Sequence, residues 1–267
     1  MPEHQEHSHN FNWNPAEYLE FANPRLRPAL DLLNQIQHVD PRHIYDLGCG
    51  PGTVTAVLKK RWPDARITGI DNSPEMLEQA RHIQDNAIFW SQADVRHWQP
   101  EHKADIVYSN ACLHWLDDHR TLFPRLLKTL NPGGVLAVQM PDNYHQHTHV
   151  LAREAATEGP WQERLGPKIR TNTVLSGEGY MAILSTITAS VDIWRTCYYH
   201  VLGGDDPVTG WSKGTQLKPY LDACHDDRER DDFLALYGEK VRQAYKKQHN
   251  GTTILPFQRL FIVATAP

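Results

Sequence analysis

His43-Ile44-Tyr45-Asp46-Leu47-Gly48-Cys49-Gly50-Pro51-Gly52 is the stretch that decides the fold. Residues 43–47 read as a short apolar strand. The glycine-rich turn after them leads into residues 52–62, which read as a helix stopped by Pro63. Glycines let the chain turn tightly and let a ligand approach the backbone without a Cβ in the way. Strand, glycine turn and helix in that order form a nucleotide- or nucleoside-binding unit of a parallel α/β sheet.

The pattern continues outward from there. A second strand spans 66–71 and ends in Asp71, and Ser73-Pro74 caps a helix that runs to about Ile83. Strands are expected at about 87–91, 104–109 and 135–140, with a helix over about 119–129 that stops at Asn131-Pro132-Gly133-Gly134. Upstream, Leu26, Leu30, Leu33 and Ile36 lie at helical spacing, which predicts a helix over about 25–37. Asn14-Pro15 starts a short helix over 15–22, and residues 1–10 read as loosely attached. Downstream, helices are expected near 147–158, 177–188, 217–223 and 228–248, a long strand near 190–202 and a last strand at 260–264. Alternating strands and helices imply a parallel sheet with right-handed crossovers, and ligands bind at the carboxyl ends of its strands.

Composition narrows the function. The chain has 267 residues, of which 40% are hydrophobic, and 27 basic against 32 acidic side chains give a net charge of -5. A nucleic-acid footprint would be basic and clustered, so none is expected. No apolar run is long enough to cross a membrane, and the start, MPEHQEHSHNF, has no leader-like apolar segment, so a cytoplasmic protein is expected. Cys49, Cys112, Cys197 and Cys224 form neither a zinc pattern nor a disulfide framework. His4, His7 and His9, and His145, His147 and His149, read as solvated loop histidines rather than metal ligands, so no metal is expected.

The turn also discriminates between nucleosides. A dinucleotide fingerprint places its third glycine at position 53, where this chain has Thr53, with glycine one residue early at Gly52. Asp46 would repel a diphosphate but suits the ammonium of S-adenosylmethionine, which carries no phosphate. Asp71, at the end of the next strand, can accept from both ribose hydroxyls. Asp94 can accept from the adenine amino group, and Asn110 ends the fourth strand near the methionine end. The expected cofactor set is therefore Asp46, Gly48, Gly50, Gly52, Asp71, Asn72, Asp94, Val95 and Asn110. Trp115, in Leu113-His114-Trp115, lies where the methyl group would emerge.

These residues, with NPGGVLAVQ at 131–139, resemble class I methyltransferases. WNPAEYL at 13–19, RWPDARITGIDNSPEML at 61–77, QMPDN at 139–143, VDIWRTCYYH at 191–200 and RLFIVA at 259–264 resemble the trans-aconitate 2-methyltransferase family more closely. The resemblance extends over nearly the whole chain from Asn12. It implies a Rossmann-like seven-stranded, mostly parallel sheet with helices on both faces, last strands antiparallel and a helical elaboration covering the substrate. One domain is expected, with residues 12–142 as its cofactor-binding half and 143–267 as its substrate-covering half.

The implied reaction is methyl-ester formation on a carboxylate of a small tricarboxylic acid. A carboxylate is already ionised at neutral pH, so no general base and no catalytic side chain is nominated. Trp115, Arg195, Tyr199, Lys218 and Arg259 are the substrate candidates. Lys218 stands where the resemblance implies arginine, and it lacks the planar fork of that residue. Strand alternation puts Arg195 and Tyr199 on one face and Tyr198 and His200 on the other. The expected partner is a small carboxylic acid, and the expected state is a monomer. Other readings stay open: a methyltransferase for another acidic or neutral metabolite, a non-catalytic cofactor-binding module, or an NAD-dependent dehydrogenase. The last would need a catalytic His–Asp arrangement, which the sequence does not offer.

Overall fold

The structure is a computed structural model that describes residues 26–37, 40–83 and 85–267. The helix expected at 15–22 lies outside them. The chain proceeds through α1 (Arg27–Leu33), β1 (His43–Leu47), α2 (Thr53–Arg61), β2 (Arg66–Asp71), α3 (Pro74–Ala80), β3 (Ile88–Gln92) and β4 (Ala104–Asn110). A short 3-10 turn, Leu113–Trp115, precedes α4 (His119–Leu127) and β5 (Leu130–Pro141). The second half holds α5 (His147–Glu158), α6 (Gln162–Leu165), α7 (Gly177–Leu184), β6 (Ser190–Leu202), α8 (Pro207–Lys213), α9 (Lys218–Leu221), α10 (Asp227–Ala244) and β7 (Thr253–Thr265).

The strands form one seven-stranded sheet in the order β3-β2-β1-β4-β5-β7-β6. β1 to β5 pair in parallel, and β7 runs antiparallel between β5 and β6. Strand order reverses between β1 and β4, so their carboxyl ends flank the crevice where ligands of such sheets bind. Each face buries its own core. Ile44, Ile106, Tyr108, Ala137 and Phe261 pack against Leu30 and Leu33 of α1 and Leu58 of α2. On the other face Val107, Leu136, Val138 and Ile262 meet Phe123 of α4 and Tyr180 of α7. Two tyrosines tie α1 down: Tyr108 Oη donates to Ala29 O at 2.7 Å, and Tyr198 Oη to Asp31 Oδ2 at 2.7 Å. A third core, around Trp161, Phe233 and Tyr237, joins α5, α8, α9 and α10 to Leu202 and Leu255, where β6 and β7 run past the rest of the sheet.

Several expectations change. The Asn131-Pro132-Gly133-Gly134 stop lies inside β5, at a register shift between Ala104 and Ile106. The last strand begins at Thr253 rather than 260, and the helix at 207–213 carried no signal that was read. His147 and His149 open α5 rather than sitting in a loop. Among the described residues no helix is long and apolar enough to cross a membrane, and no group of three or more His, Cys, Asp or Glu is placed to hold a metal.

Candidate functional site

The glycine turn is built from backbone. Gly48, Gly50 and Gly52 have φ of 74°, 54° and 81°, a region that L side chains rarely adopt. The N–H groups of Gly48 and Cys49 both donate to Ile70 O, at 2.7 and 3.0 Å, which pins the turn to β2. Gly50 N donates to Asp71 Oδ2 and Ser73 N to Asp71 Oδ1, each at 2.9 Å. Asp71 thus clamps the two turns together and keeps further lone pairs on both oxygens. A Cβ on Gly48 would lie 2.3 Å from Cys112 Cβ, whereas one on Gly50 would meet nothing within 4 Å. Gly48 serves internal packing, and Gly50 borders an open concavity.

The carboxylates around the turn differ in environment. Asp46 is 1% exposed, and Thr55 Oγ1 donates to its Oδ2 at 2.6 Å. Burial pushes its carboxyl up to about 7, against the pull of the Thr55 bond and with a smaller push from Asp71. Asp94 is held by Arg96, whose Nε lies 2.9 Å from Oδ2, and this pairing keeps its carboxyl below the usual range. The Val95 side chain belongs to the core, so only its backbone can face a ligand. Asn72 is exposed beside Asp71.

A polar row crosses the sheet edge. Asp46, Asn110, Gln139 and Arg259 share strand parity with Ile44, Tyr108, Ala137 and Phe261, so all four point to the α1/α2 face. Register places Asn110 beside Gln139 and Arg259 beside Pro141. Neighbouring strands lie about 4.8 Å apart. Taken across β2, β1, β4, β5 and β7, the polar residues on this face are Asp71, Asp46, Asn110, Gln139 and Arg259: two carboxylates, two amides, one guanidinium, in a staggered row, since Asp46 pairs with Gly69 and Tyr108, and Gln139 with Phe261. Its middle is left without partners, because Asn110 Oδ1 and both amide atoms of Gln139 are buried and make no hydrogen bond. Ala111, just beyond, has φ of 54°, a left-handed conformation that costs a non-glycine residue roughly 1–2 kcal/mol. Such strain gathers at functional sites.

The substrate candidates do not gather in one place. Arg195 pairs with Leu260 across the sheet and therefore faces α7, opposite to Arg259, and its Nε lies 2.7 Å from Asp142 Oδ2. Tyr199 shares its face and is 69% exposed. Lys218 opens α9 in the helical elaboration and pairs with Asp222 at 2.9 Å, both side chains being mostly exposed. A single pocket containing Arg195, Lys218 and Arg259 is thus not what the fold builds. Trp115 stays at the crevice, 51% exposed. Sequence reading missed Gln139, His114 and Arg170. Gln139 lies in a strand whose other residues are apolar, and that buried polar exception was its signal. Arg170 lies in an irregular segment and carried none.

Residues 44–134 match the family described as "Methyltransferase domain". Trans-aconitate 2-methyltransferase of Escherichia coli O17:K52:H18 is 45% identical over 95% of this chain and 98% of its own length. The protein of the same name from Escherichia coli O45:K1 is 46% identical over the same shares. Among solved structures, phosphoethanolamine N-methyltransferase 2 of Haemonchus contortus, in complex with phosphomonomethylethanolamine and S-adenosylhomocysteine, gives a TM-score of 0.55 at 15% identity, covering 90% of this chain and 52% of that chain. The YcgJ protein of Bacillus subtilis gives 0.56 at 14% identity, covering 90% and 98%. At these identities the structural likeness speaks for the fold alone.

Proposed function

This chain belongs to the trans-aconitate 2-methyltransferase family, and on that premise we propose that it transfers a methyl group from S-adenosylmethionine to a carboxylate of trans-aconitate, forming the monomethyl ester. The observation that carries this reading is the polarity of the row at the sheet edge. It is acidic over β2 and β1, amide over β4 and β5, and basic over β7. A cationic cofactor at the acidic end and an anionic acid at the basic end would meet over the amides.

The cofactor fits the residues present. The open side of Gly50 gives it a bed, and Gly48 and Gly52 shape the turn. Asp71 and Asn72 would hold the ribose, Asp94 and the Val95 backbone the adenine, and Asp46 and Asn110 the amino-acid end. When bound, the cofactor supplies an electrophilic methyl group on a positive sulfur. The protein has no proton to remove from an ionised carboxylate, so its part is to align and to exclude water. Alignment can be worth about 7–11 kcal/mol in the best cases. Arg259 would hold a carboxylate of the acid through charge-assisted hydrogen bonds, and Trp115 would wall the crevice.

On this reading residues 12–142 form the cofactor half and 143–267 the acid-covering half of one cytoplasmic, monomeric enzyme acting on a small diffusible acid. Arg195 and Tyr199 would then shape the outer edge of that covering half, and Lys218 its surface. The deciding experiment is a methyl-transfer assay over a panel of tri- and dicarboxylates, with the ester identified by mass spectrometry. Absence of ester on trans-aconitate overturns the substrate. Calorimetric titration of S-adenosylhomocysteine into wild type and Gly50→Val tests the cofactor bed, and equal affinity would remove it.

A further inference from the structure

We propose that His114 and Arg170, with Arg259, form the receptor for the acid's carboxylates, and that Arg170 sets the preference for a tricarboxylate over a dicarboxylate. The proposal rests on the reading of this protein as a carboxylate methyltransferase, and it names two residues that the resemblance does not supply.

His114 sits on the rigid turn that leaves β4. Trp115 N donates to Cys112 O at 3.0 Å and Leu116 N to Leu113 O at 2.9 Å, so the turn is closed on itself. Its neighbour Leu113 is fully buried, and Leu113 O contacts His119 Nε2 at 3.0 Å. The His114 ring is therefore fixed, yet its Nδ1 is buried with no hydrogen-bond partner. A buried nitrogen held in place without a partner is costly, and an incoming carboxylate oxygen would relieve that cost.

The charge around the ring has one sign. Burial first, and then the guanidinium charges of Arg259 and Arg170, push the imidazole down to about 3. The ring thus stays neutral at physiological pH in a positive field. A neutral imidazole there can donate one hydrogen bond to an anion that the flanking guanidiniums attract.

Arg170 reaches this point from the segment between α6 and α7. Its Nη2 donates to Trp115 O at 3.1 Å, and its Cζ lies 4.6 Å above the Trp115 ring. Thr173 Oγ1 donates to His114 O at 2.7 Å, which straps the same segment over the turn. The guanidinium spends one N–H on the carbonyl and retains the remaining donors of its fork. Arg259 comes from β7, so the receptor draws on three distant parts of the chain. Arg195 is not among them, since it faces the opposite side of the sheet and is paired with Asp142.

The test uses Arg170→Ala, Arg170→Lys and His114→Phe in the full-length protein. KM and kcat are measured on trans-aconitate and on a dicarboxylate lacking one of its groups, S-adenosylhomocysteine affinity by calorimetry, and Tm by scanning. Arg170→Ala should raise KM for trans-aconitate about 10-fold, change it far less for the dicarboxylate, and leave cofactor affinity within about twofold. Arg170→Lys should recover part of the loss. His114→Phe should raise KM about 10-fold without lowering Tm, because it removes the orphaned nitrogen. Unchanged KM in Arg170→Ala, an equal loss on both acids, or an equal weakening of cofactor binding overturns the receptor. Arg170 is exposed, so its variants decide the matter if His114→Phe does not fold. A wild type that esterifies no acid overturns the underlying reading instead, which an active wild type with unaltered variants would leave standing.

Discussion

At β1 and β2 the site is made by the main chain, with glycine φ angles, N–H groups pinned to Ile70 O and one carboxylate clamping two turns. At β4 to β7 the site we propose is made by side chains, with Asn110, Gln139 and Arg259 set by strand parity and His114 and Arg170 brought in by a turn and a strap. The contrast teaches where each end can fail. A main-chain site is insensitive to most side-chain identities and intolerant of an added Cβ. A side-chain site keeps its backbone under substitution and loses only its ligand.

The strongest way to break this contrast is Gly48→Ala. The new Cβ would stand 2.3 Å from Cys112 Cβ at a φ of 74°. A left-handed non-glycine costs about 1–2 kcal/mol and overpacking a further 1–3. Denaturant unfolding should show a loss of roughly 2–5 kcal/mol, with cofactor affinity falling at least 100-fold. Near-normal stability and binding would mean that the backbone does not define this end. Next comes Asp71→Ala, which strips the acceptor from Gly50 N and Ser73 N. Hydrogen bonds to charged groups are worth about 1.5–3 kcal/mol each, and partial exposure of Asp71 favours the low end. Stability should fall by about 2–3 kcal/mol together with cofactor affinity. A change in affinity alone would make Asp71 purely a ligand.

The two ends also differ in how far the sequence revealed them. The glycine turn, Asp46 and Asp71 lie within 26 residues of one another, and the chemistry of the turn depends on residues adjacent in the chain. Strand and helix spacing likewise gave α5 and β6 their full extents. The last strand read short because Leu255-Pro256 interrupts its apolar run. Pro256 is tolerated because it pairs with Tyr199 on one side, while β5 has already ended at Pro141 on the other, so no ladder donor is missing. α8 went unread because Gly210 and the acidic residues before it suggest a loop. Val208 and the bond between Ser212 and Tyr237 hold it through tertiary packing. The acid end proposed above joins residues 114, 170 and 259, beside the amides at 110 and 139, and only the fold brings those together.

Gln139→Met probes the side-chain end directly. Both amide atoms are buried without partners, and replacing an unsatisfied buried group by an apolar one of similar shape is neutral or stabilising. Thermal unfolding should show a gain of about 1 kcal/mol while esterification slows. A loss of stability would mean that the amide has a partner in solution.

The acidic end carries a pH signature. The Asp46 carboxyl is raised from 3.8 to about 7, first by burial. Between those values the native state holds a proton that the unfolded state has released, so stability falls as pH rises through the window. From pH 6 to 8 the loss should be about 1 kcal/mol. Asp46→Asn should flatten it, which separates it from the half-buried histidines His114 and His149, whose depressed values make stability rise with pH over a lower range. Cofactor binding should run the other way, strengthening as pH rises toward 8, because an ionised Asp46 suits an ammonium and binding below pH 7 must release a proton. A wild-type slope identical to that of Asp46→Asn would remove Asp46 from the site.

The smallest expected effect belongs to Lys218→Ala, and it sharpens the contrast most economically. Lys218 differs from Arg259 in every respect that matters for holding an anion. It sits at the start of a four-residue helix rather than in a strand at the sheet edge, and Asp222, one turn on, already occupies its ammonium at 2.9 Å. The two side chains are 67% and 62% exposed. An exposed i,i+4 pair is worth about 0.3–0.5 kcal/mol and is screened by salt. Any acid bound there would have to compete with Asp222 in water, where two unit charges at 4 Å gain only about 1 kcal/mol. The variant should therefore lose under about 0.5 kcal/mol of stability and keep KM for trans-aconitate within about twofold. Arg259→Ala, buried beside the amides, should shift KM by at least 10-fold under the same conditions. A tenfold rise in KM for Lys218→Ala would place the acid against the helical elaboration and away from the sheet edge, and the polar row would then serve the cofactor alone.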